Sequence, residues 1–515
     1  MFIQSTLGLL PPRACASRMS GQTSRGLFVS AAMALALSAC GGSGSGGGGA
    51  PTPGPGPTPP PTRTAETLAF VGVETASSTS PQFLYAAQDN VQGQTRLSNA
   101  PANPGTMIAA FKISPDGQWV AYTGNPNSAF PLRLYVSAIS GGTRVRVTPV
   151  SGGVSSVSDF DWSPDSRRLV YSGNFEAPFP QTLAKQTFVV DRDGANPAKV
   201  NGSVGSPPGV ETRNAQWSPD GAYVLTEVAR VSSSDGAGDV NAFGLNIYPD
   251  ATAAGGYRLV GANNLVNNAR WSPTSHRVCY NIDNGAGFNI RTSDPAVGAA
   301  NNVVLSNTGH INSECKWSDD GSQVAYLEQT SPGGAADLEI RAGDAGASAR
   351  ILASLAAPGR TIRQFEWRPG SNDTLAFIAE RDADNVFELY VVRAGGATTK
   401  INQTLPATAD ILDFAWSPDG AKLAYTADID TDTVVQLYVA NRDGTGRVEI
   451  SDSLAGDEVV DFDWSADSTR LVYSAGPAAR TPSADVLYAA TADGANVRRL
   501  NTNIITRIVQ PTYTD

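Results

Sequence analysis

The sequence predicts an all-β protein built as a single large β-propeller of four-stranded blades. Three observations predict this fold: a tryptophan-centred phrase that recurs eight times, tight-turn signals inside each copy, and strand-like segments at both ends of the array. Sheets that repeat every ~40–50 residues are typical of propeller blades. The chain has 515 residues, which is enough to bury a core of that size.

The recurring phrase runs from an aromatic residue through an anchor position into a turn and a second strand. A well-preserved copy reads FAWSPDGAKLAYTA and begins at Phe414. The anchors, spaced 46 to 55 residues apart, are Ile113, Trp162, Trp217, Trp271, Trp317, Trp367, Trp416 and Trp464. Eight copies of so long a phrase indicate internal repetition.

Each copy divides into four strands. Around Trp416 the segments ILDFAW, KLAYTA, VQLYVA and GRVEIS have strand-like patterns and are separated by turn signals, among them SPDG and NRDG. In SPDG the serine caps a type I turn, proline sets φ, aspartate bonds its own backbone and glycine closes the turn. One copy therefore predicts one antiparallel blade.

Two columns of mostly large apolar residues recur in register. The column two residues before the anchor holds Phe111, Phe160, Ala215, Ala269, Cys315, Phe365, Phe414 and Phe462. The column on the second strand holds Tyr122, Tyr171, Thr226, Tyr280, Tyr326, Phe377, Tyr425 and Tyr473. We expect these side chains to fill the wedge between neighbouring blades.

The two ends of the array predict how the ring closes. Residues 67–99 supply TLAFVGV, QFLYAAQ and TRLSNA, which match the second, third and fourth strands of a blade. Residues 504–515 have the pattern of an innermost strand with no followers. Joining these ends gives one composite blade and removes both sheet edges, so we expect nine blades; eight is the alternative, because propellers typically have four to eight.

The W-S-P-D-G turn with its flanking strands resembles the WD40-like repeats of TolB and of the propellers attached to prolyl oligopeptidase-type enzymes. The resemblance covers residues 65–515. It implies a propeller, and departures such as Ile113 for Trp and Thr274 for Asp weaken single turns only. Because the repeats occupy residues 65–515, we expect no counterpart of the separate hydrolase domain of those enzymes.

The N-terminal segment predicts export. Residues 27–39 form a short apolar run after Arg25, so residues 1–39 read as a signal peptide, with Met19 as an alternative start. Leu37-Ser38-Ala39-Cys40 resembles the lipobox of bacterial lipoproteins, which implies cleavage before Cys40 and its lipidation. Residues 40–64 are rich in Gly and Pro and predict a tether. Lipoprotein sorting rules then favour the outer membrane, because no Asp follows the cysteine.

Composition excludes several classes of function. The net charge of −11 argues against nucleic acid and against contact with anionic membrane other than through the lipid anchor. The chain has only two histidines and lacks the common nucleophile, phosphate-binding and zinc motifs. We therefore expect no catalytic residues, no metal and no cofactor.

Candidate binding residues lie three positions before the anchors, on the innermost strands. They are Asp159, Asn214, Asn268, Glu314, Gln364, Asp413 and Asp461, and the acidic ones, Asp159, Glu314, Asp413 and Asp461, are the binding candidates. The alternative is that they are solvated or bonded to neighbouring backbone.

The aspartates of the tight turns are interpreted as parts of those turns; they are Asp116, Asp165, Asp220, Asp320, Asp419 and Asp467. The segments DRDG and NRDG are interpreted in the same way, because they lack the other ligands of a calcium loop.

Cys279 and Cys315 occupy apolar columns on adjacent blades in an oxidising compartment, so they could form a disulfide; two buried free thiols are the alternative.

Together these observations predict a monomeric, membrane-tethered binding module that presents a propeller face or channel to a protein or peptide in the cell envelope. The alternatives are a lyase or hydrolase, or a ligand or metal sensor, that uses the central channel.

Overall fold

The computed structural model of the chain contains nine four-stranded antiparallel sheets. It describes residues 66–501 and 509–513, apart from residues 74–80, 90–91, 99–106, 126–131, 149–155, 174–184, 201–209, 231–240, 250–256, 259–265, 284–286, 295–301, 307–313, 330–333, 335, 345, 347–349, 356–359, 407, 430–433, 452–456 and 478–485. Each sheet is one blade, and each anchored copy of the phrase provides one of them.

The strands follow the predicted order, blade by blade. Blade 1 holds β4 (Ile108–Ile113), β5 (Trp119–Gly124), β6 (Arg133–Ala138) and β7 (Val145–Arg146); blade 2 holds β8 (Val157–Trp162), β9 (Arg168–Gly173), β10 (Gln186–Asp191) and β11 (Ala198–Lys199). Blade 3 holds β12 (Val210–Trp217), β13 (Tyr223–Arg230), β14 (Asn241–Pro249) and β15 (Tyr257–Arg258); blade 4 holds β16 (Val266–Trp271), β17 (Val278–Asp283), β18 (Phe288–Ser293) and β19 (Val303–Val304). Blade 5 holds β20 (Lys316–Trp317), β21 (Gln323–Gln329), β22 (Ala336–Ala342) and β23 (Arg350–Ser354); blade 6 holds β24 (Ile362–Trp367), β25 (Thr374–Ala379), β26 (Glu388–Arg393) and β27 (Thr398–Lys400). Blade 7 holds β28 (Ile411–Trp416), β29 (Lys422–Ala427), β30 (Gln436–Asn441) and β31 (Val448–Glu449); blade 8 holds β32 (Asp457–Trp464), β33 (Arg470–Pro477), β34 (Val486–Thr491) and β35 (Arg498–Arg499).

The ninth sheet, which we call the closing blade, combines the two ends of the array. It holds β1 (Thr67–Val73), β2 (Gln82–Gln88), β3 (Gln94–Arg96) and β36 (Val509–Tyr513), in the order β3-β2-β1-β36. Strand β36 pairs antiparallel with β1, where Leu68 faces Tyr513. The predicted count of nine blades is confirmed, and the alternative of eight is wrong.

The hydrophobic core lies between blades, as the two residue columns predict. One cluster joins Ile378 and Leu389 of blade 6 to Phe414, Trp416 and Tyr425 of blade 7, all of them buried. In six blades the second-strand aromatic also stacks on an aromatic of the third strand, as in the pair Tyr425–Tyr438 with ring centroids 5.5 Å apart. The other five stacks are Phe70–Tyr85, Tyr122–Tyr135, Tyr171–Phe188, Phe377–Tyr390 and Tyr473–Tyr488.

Blades 3, 4 and 5 depart from this stacking. The residue that pairs across from the second-strand column is Asn246, Arg291 or Glu339 instead of an aromatic. This sector therefore replaces an apolar contact with polar groups, and it also contains Cys279 and Cys315.

The indole N–H groups of the anchors join consecutive innermost strands. Trp367 donates to the carbonyl oxygen of Lys316 at 2.9 Å, and Trp162 donates to that of Lys112 at 3.0 Å. Trp317, Trp416 and Trp464 make the same bond at longer distances. These five anchors thus link their blades to the blade before, whereas the indole nitrogens of Trp217 and Trp271 have no hydrogen-bond partner within the described residues. The innermost strands line the axis of the ring.

The two ends of the ring differ in their connections. Because neighbouring strands are antiparallel, the SPDG-type turns after the first strand and the NRDG-type turns after the third strand lie at one face. The connections from second to third strand, and from one blade to the next, lie at the other. We call these the tight-turn face and the long-loop face.

Candidate binding site at the central channel

Six of the seven channel candidates lie on the innermost strands, and the seventh, Glu314, lies two residues before β20. Their hydrogen bonds divide them into a bonded group in blades 2 to 5 and an acidic group in blades 7 and 8, with Gln364 of blade 6 between them.

In blades 2 and 3, carboxylates hold the next blade through its backbone. Asp159 accepts a hydrogen bond from the N–H of Ala215 at 2.9 Å. Buried Glu227 accepts one from the N–H of Ala269 at 3.2 Å and another from the side-chain amide of Asn214 at 2.9 Å. The interpretation as neighbour-bonding residues therefore describes Asp159 and Asn214 better than a ligand site does.

A chain of ion pairs crosses blades 4 to 6. Arg270 contacts Glu314 at 3.4 Å, and the ammonium of Lys316 contacts Glu314 at 3.3 Å and Glu366 at 2.5 Å. Burial of the ammonium lowers the pKa of Lys316, but the two carboxylates outweigh burial and raise this pKa overall. Glu314 is therefore already engaged by cations of the protein itself, which disfavours it as an acceptor for a cationic ligand.

In blades 7 and 8 the candidates accept hydrogen bonds from backbone N–H groups. Asp413 and Asp461 each accept from the N–H of the following phenylalanine, at 2.8 and 2.9 Å. Asp413 also accepts from the side-chain amide of Gln364 at 3.0 Å. Both aspartates are partly exposed. They lie on strands that contain five carboxylates and no basic residue.

Sequence reasoning missed two exposed side chains beside these aspartates. Leu412 and Val460 are each 39 % exposed and directly precede Asp413 and Asp461. The corresponding residue in other copies is Ala109, Ser158 or Arg363, which indicates that large apolar side chains are not required at this position. Only the exposure of these side chains, which the alternation pattern does not give, distinguishes them from core residues.

The turn aspartates belong to their turns, as predicted. Asp419 accepts hydrogen bonds from the Ser417 hydroxyl at 2.6 Å and from the N–H of Ala421 at 2.9 Å. Partial burial raises the pKa of Asp419, but these hydrogen bonds outweigh it and lower the pKa overall. In NRDG, Asp443 accepts from the N–H of Thr445 at 3.0 Å, which is the geometry of a tight turn.

The two candidate cysteines meet between blades 4 and 5. The structure pairs Cys279 with Cys315 as a disulfide, with their Cα atoms 6.3 Å apart. Both side chains are buried in the cluster that includes Leu305, Trp317 and Tyr326. This linkage crosses the sector that lacks aromatic stacks.

Among the residues that the structure describes, no group of three or more His, Cys, Asp or Glu side chains is placed to hold a metal ion. In the same part of the chain, no helix is long and apolar enough to cross a membrane. Cys40, the signal peptide and the tether lie outside the described residues.

Comparison with known proteins supports the fold. Residues 297–506 match the model of the lipoprotein LpqB beta-propeller domain, which covers blades 5 to 8 and the end of blade 4. No curated protein matches the chain. The match thus concerns less than half of the chain, in its C-terminal part.

Two solved structures with TM-scores above 0.5 share the fold of this chain at low sequence identity. A eukaryotic initiation factor is 12 % identical with a TM-score of 0.55, over 88 % of this chain and 99 % of that chain. Dipeptidyl peptidase 4 from Porphyromonas gingivalis is 11 % identical with a TM-score of 0.52, over 76 % of this chain and 63 % of that chain. TolB from Acinetobacter baumannii is 17 % identical over 57 % of this chain and 64 % of that chain, with a TM-score of 0.30.

At these identities the structures speak for the fold alone. The family match and the ring of repeated blades confirm the resemblance to TolB-like propeller repeats that the sequence indicates. The chain is a nine-bladed β-propeller protein whose residues 297–506 are similar to the propeller domain of the lipoprotein LpqB.

Proposed function

We propose that this protein is a lipid-anchored binding module of the cell envelope that presents the long-loop face of its propeller to a protein or peptide. The observation that carries the proposal is the difference between the two faces. The tight-turn face consists of near-identical turns whose polar groups bond to one another. In repeat proteins, segments that vary from copy to copy gather on one face, which is often the binding face.

The tight-turn face is occupied with holding the ring together. The N–H of Asp419 donates to the Ser468 hydroxyl of the next blade at 3.0 Å, and Asp116 does the same to Ser166 at 3.0 Å. His276 contacts Asp220 of the preceding blade at 2.6 Å. Polar groups used between blades are less available to a partner, which favours the long-loop face.

The lipid anchor of the proposal rests on Cys40 and on similarity to a lipoprotein propeller domain. Cys40→Ser should abolish labelling by a radioactive fatty acid and release the protein from the membrane fraction. Unchanged labelling would contradict lipidation at this residue. The outer membrane is our proposed location, and density-gradient separation of the two membranes tests it.

The binding face is tested by site-specific photo-crosslinking in cells that make the full-length protein. A photoreactive residue at Met107, which is exposed at the long-loop end of β4, should crosslink to a discrete envelope protein. The same residue at Asp443, exposed on the tight-turn face, is the matched control and should not. Crosslinks from Asp443 only, or from neither position, would contradict the proposal.

A further inference from the structure

Buried carboxyl groups line the side of blade 5 that faces blade 4. Glu328 in β21 and Asp337 and Glu339 in β22 are 3 %, 8 % and 6 % exposed. In the register of these strands Asp337 pairs with Glu328. Glu339 pairs with Tyr326, which belongs to the apolar cluster between the two blades. All four side chains therefore share the face toward blade 4, and we call this boundary the acidic seam.

A shared proton joins two of these carboxyl groups. The side chains of Glu339 and Glu328 are hydrogen-bonded to each other. Two ionised carboxylates cannot form such a bond, because neither carries a donor, so one of the pair holds a proton. Burial, aided by repulsion from Glu328 and Asp337, raises the pKa of Glu339 to about 7. The pair therefore keeps its proton in mild acid and releases it as pH rises past neutrality.

The other charged groups of the seam leave this balance negative. Arg341 of β22 donates to the carbonyl oxygen of Leu305 in blade 4. Asp337 accepts from the Ser354 hydroxyl of β23 at 2.5 Å. On blade 4, Asp283 ends β17, and the residues of β18 and β19 that face blade 5 are uncharged. Loss of the shared proton thus increases a net negative charge that Arg341 offsets only in part.

The hydroxyl of Tyr326 lies between the carboxyl pair and blade 4. Its oxygen is 3.1 Å from the carbonyl oxygen of Leu305 and 3.1 Å from a carboxyl oxygen of Glu339. A tyrosine hydroxyl carries one proton, so it donates to one of these acceptors at a time. An ionised carboxylate is the stronger acceptor, whereas a protonated carboxyl competes less well with a carbonyl. The ionisation of Glu339 therefore decides whether Tyr326 donates across the seam or within its own blade.

The disulfide holds the inner part of the same seam. Cys279 lies on the second strand of blade 4, and Cys315 directly precedes the innermost strand of blade 5. Leu305 instead follows the outermost strand of blade 4, and Glu339 lies on the third strand of blade 5. The covalent link therefore fixes the channel side of the seam, and the tyrosine contact lies nearer its outer side.

We propose that the acidic seam is a pH-controlled latch, closed by the Tyr326 hydroxyl on the Leu305 carbonyl while Glu339 is protonated and loosened when Glu339 ionises. In the ionised state the hydroxyl donates to Glu339, and the carboxylates of blade 5 repel one another. Leu305 retains the bond from Arg341 and the disulfide keeps the blades joined, so the seam loosens at its outer side without separating. This device goes beyond the proposed binding function and does not depend on it.

Hydrogen–deuterium exchange of the full-length lipoprotein in detergent, read by mass spectrometry, tests the latch. Glu339→Gln is the key variant, because its amide is uncharged like the protonated carboxyl. At pH 8 the outermost strands β19 and β23 should exchange at least about fivefold faster in wild type than in Glu339→Gln. At pH 5 the two proteins should agree within about twofold. Strand β29 of blade 7 is the internal reference and should exchange alike in both.

A second variant tests the hydroxyl itself. Tyr326→Phe removes the donor, so at pH 5 its β19 and β23 should exchange at least about fivefold faster than those of wild type. Tyr425→Phe, in the same column of blade 7, is the matched control and should leave both strands within about twofold of wild type.

Equal exchange of wild type and Glu339→Gln at pH 8 overturns the latch. A difference that is as large in β29 also overturns it, because that result reports a loss of stability throughout the ring. Exchange of Tyr326→Phe at the wild-type rate at pH 5 overturns the assignment of the latch to this hydroxyl.

Discussion

At the scale of single residues, one arginine links the end of the array to its beginning. The guanidinium of Arg470, in blade 8, contacts Glu66 at 3.0 Å, Asp89 at 2.5 Å and Asp467 at 3.4 Å, and its side chain is only 8 % exposed. Glu66 and Asp89 flank strands of the closing blade. A buried cation thus joins the two neighbouring blades at the point where the ring closes.

Arg470→Met should lower the free energy of unfolding by about 3–5 kcal/mol, because it leaves the buried carboxylate of Asp89 and the partly buried carboxylate of Glu66 without their cation. Urea unfolding measures this change. Arg393→Met, which removes an exposed pair with Asp373, is the control and should have little effect. Adding Glu66→Gln and Asp89→Asn to Arg470→Met should restore much of the loss; no recovery would argue that packing, not charge, is responsible.

A second residue predicts pH dependence. Burial raises the pKa of Glu339 to about 7, and the nearby carboxylates of Glu328 and Asp337 add to the effect. A carboxyl group whose pKa is raised on folding contributes stability that is complete below its unfolded pKa and is lost as pH rises through the folded pKa. The melting temperature should therefore fall between pH 5 and pH 8 through this group.

Glu339→Gln should flatten that dependence, because the amide does not titrate and its oxygen can still accept from the Tyr326 hydroxyl. Calorimetry at pH 5 and pH 8 should show a smaller fall in melting temperature for the variant than for the wild type. Parallel curves would show that Glu339 does not titrate in this range.

At the scale of elements, the anchor indoles predict unequal effects of one substitution. Trp367 donates to the carbonyl of Lys316, whereas the indole nitrogen of Trp271 has no hydrogen-bond partner within the described residues. Both side chains are buried to a similar extent. Trp367→Phe should therefore cost about 1 kcal/mol more than Trp271→Phe, since a net hydrogen bond is worth about that much. Chemical unfolding of the two variants gives the comparison, and equal losses would mean that the indole bonds do not set blade register.

The disulfide between blades 4 and 5 predicts sensitivity to reductant. Cys279 and Cys315 are 36 residues apart, and a disulfide closing such a loop is typically worth about 2–4 kcal/mol. In protein cleaved before Cys40 and lipidated there, these are the sole cysteines without a lipid, because Cys15 lies in the predicted signal peptide. Reduction should lower the melting temperature of this protein and leave a Cys279→Ala, Cys315→Ala derivative unchanged. Two alkylatable thiols after denaturation without reductant would exclude the bond.

At the scale of the whole molecule, closure depends on a strand from the opposite end of the chain. The closing blade packs on blade 8 through Leu68 and Phe70 against Val472 and Leu487, and its other face contacts blade 1. Without β36, strand β1 would expose its hydrogen-bonding edge at the axis.

Deleting residues 504–515 should therefore lower the melting temperature sharply or cause aggregation. Deleting residues 514–515 alone, beyond the last strand, is the control and should have no effect. Calorimetry and size-exclusion chromatography report both outcomes. A protein lacking residues 504–515 that melts like the full chain would contradict closure by this strand.

The sequence by itself determined the repeated features of this protein: the four strands per copy, the aspartate turns, the apolar columns, and the nine blades with their composite closure. These features depend on local turn chemistry and on a pattern that each copy repeats, as the copy at Trp416 illustrates.

Only the tertiary structure decided which side chains of different blades meet. Arg470 reaches Glu66 from the far end of the array, Glu314 pairs with Arg270 and Lys316, and Leu412 and Val460 are exposed although they resemble core residues. Ion pairing and burial depend on distances between segments remote in sequence, and alternation along one strand does not specify those distances. The candidate site was therefore predictable as a ring of positions, but which of these positions bond to neighbouring blades became visible only once the blades were placed side by side.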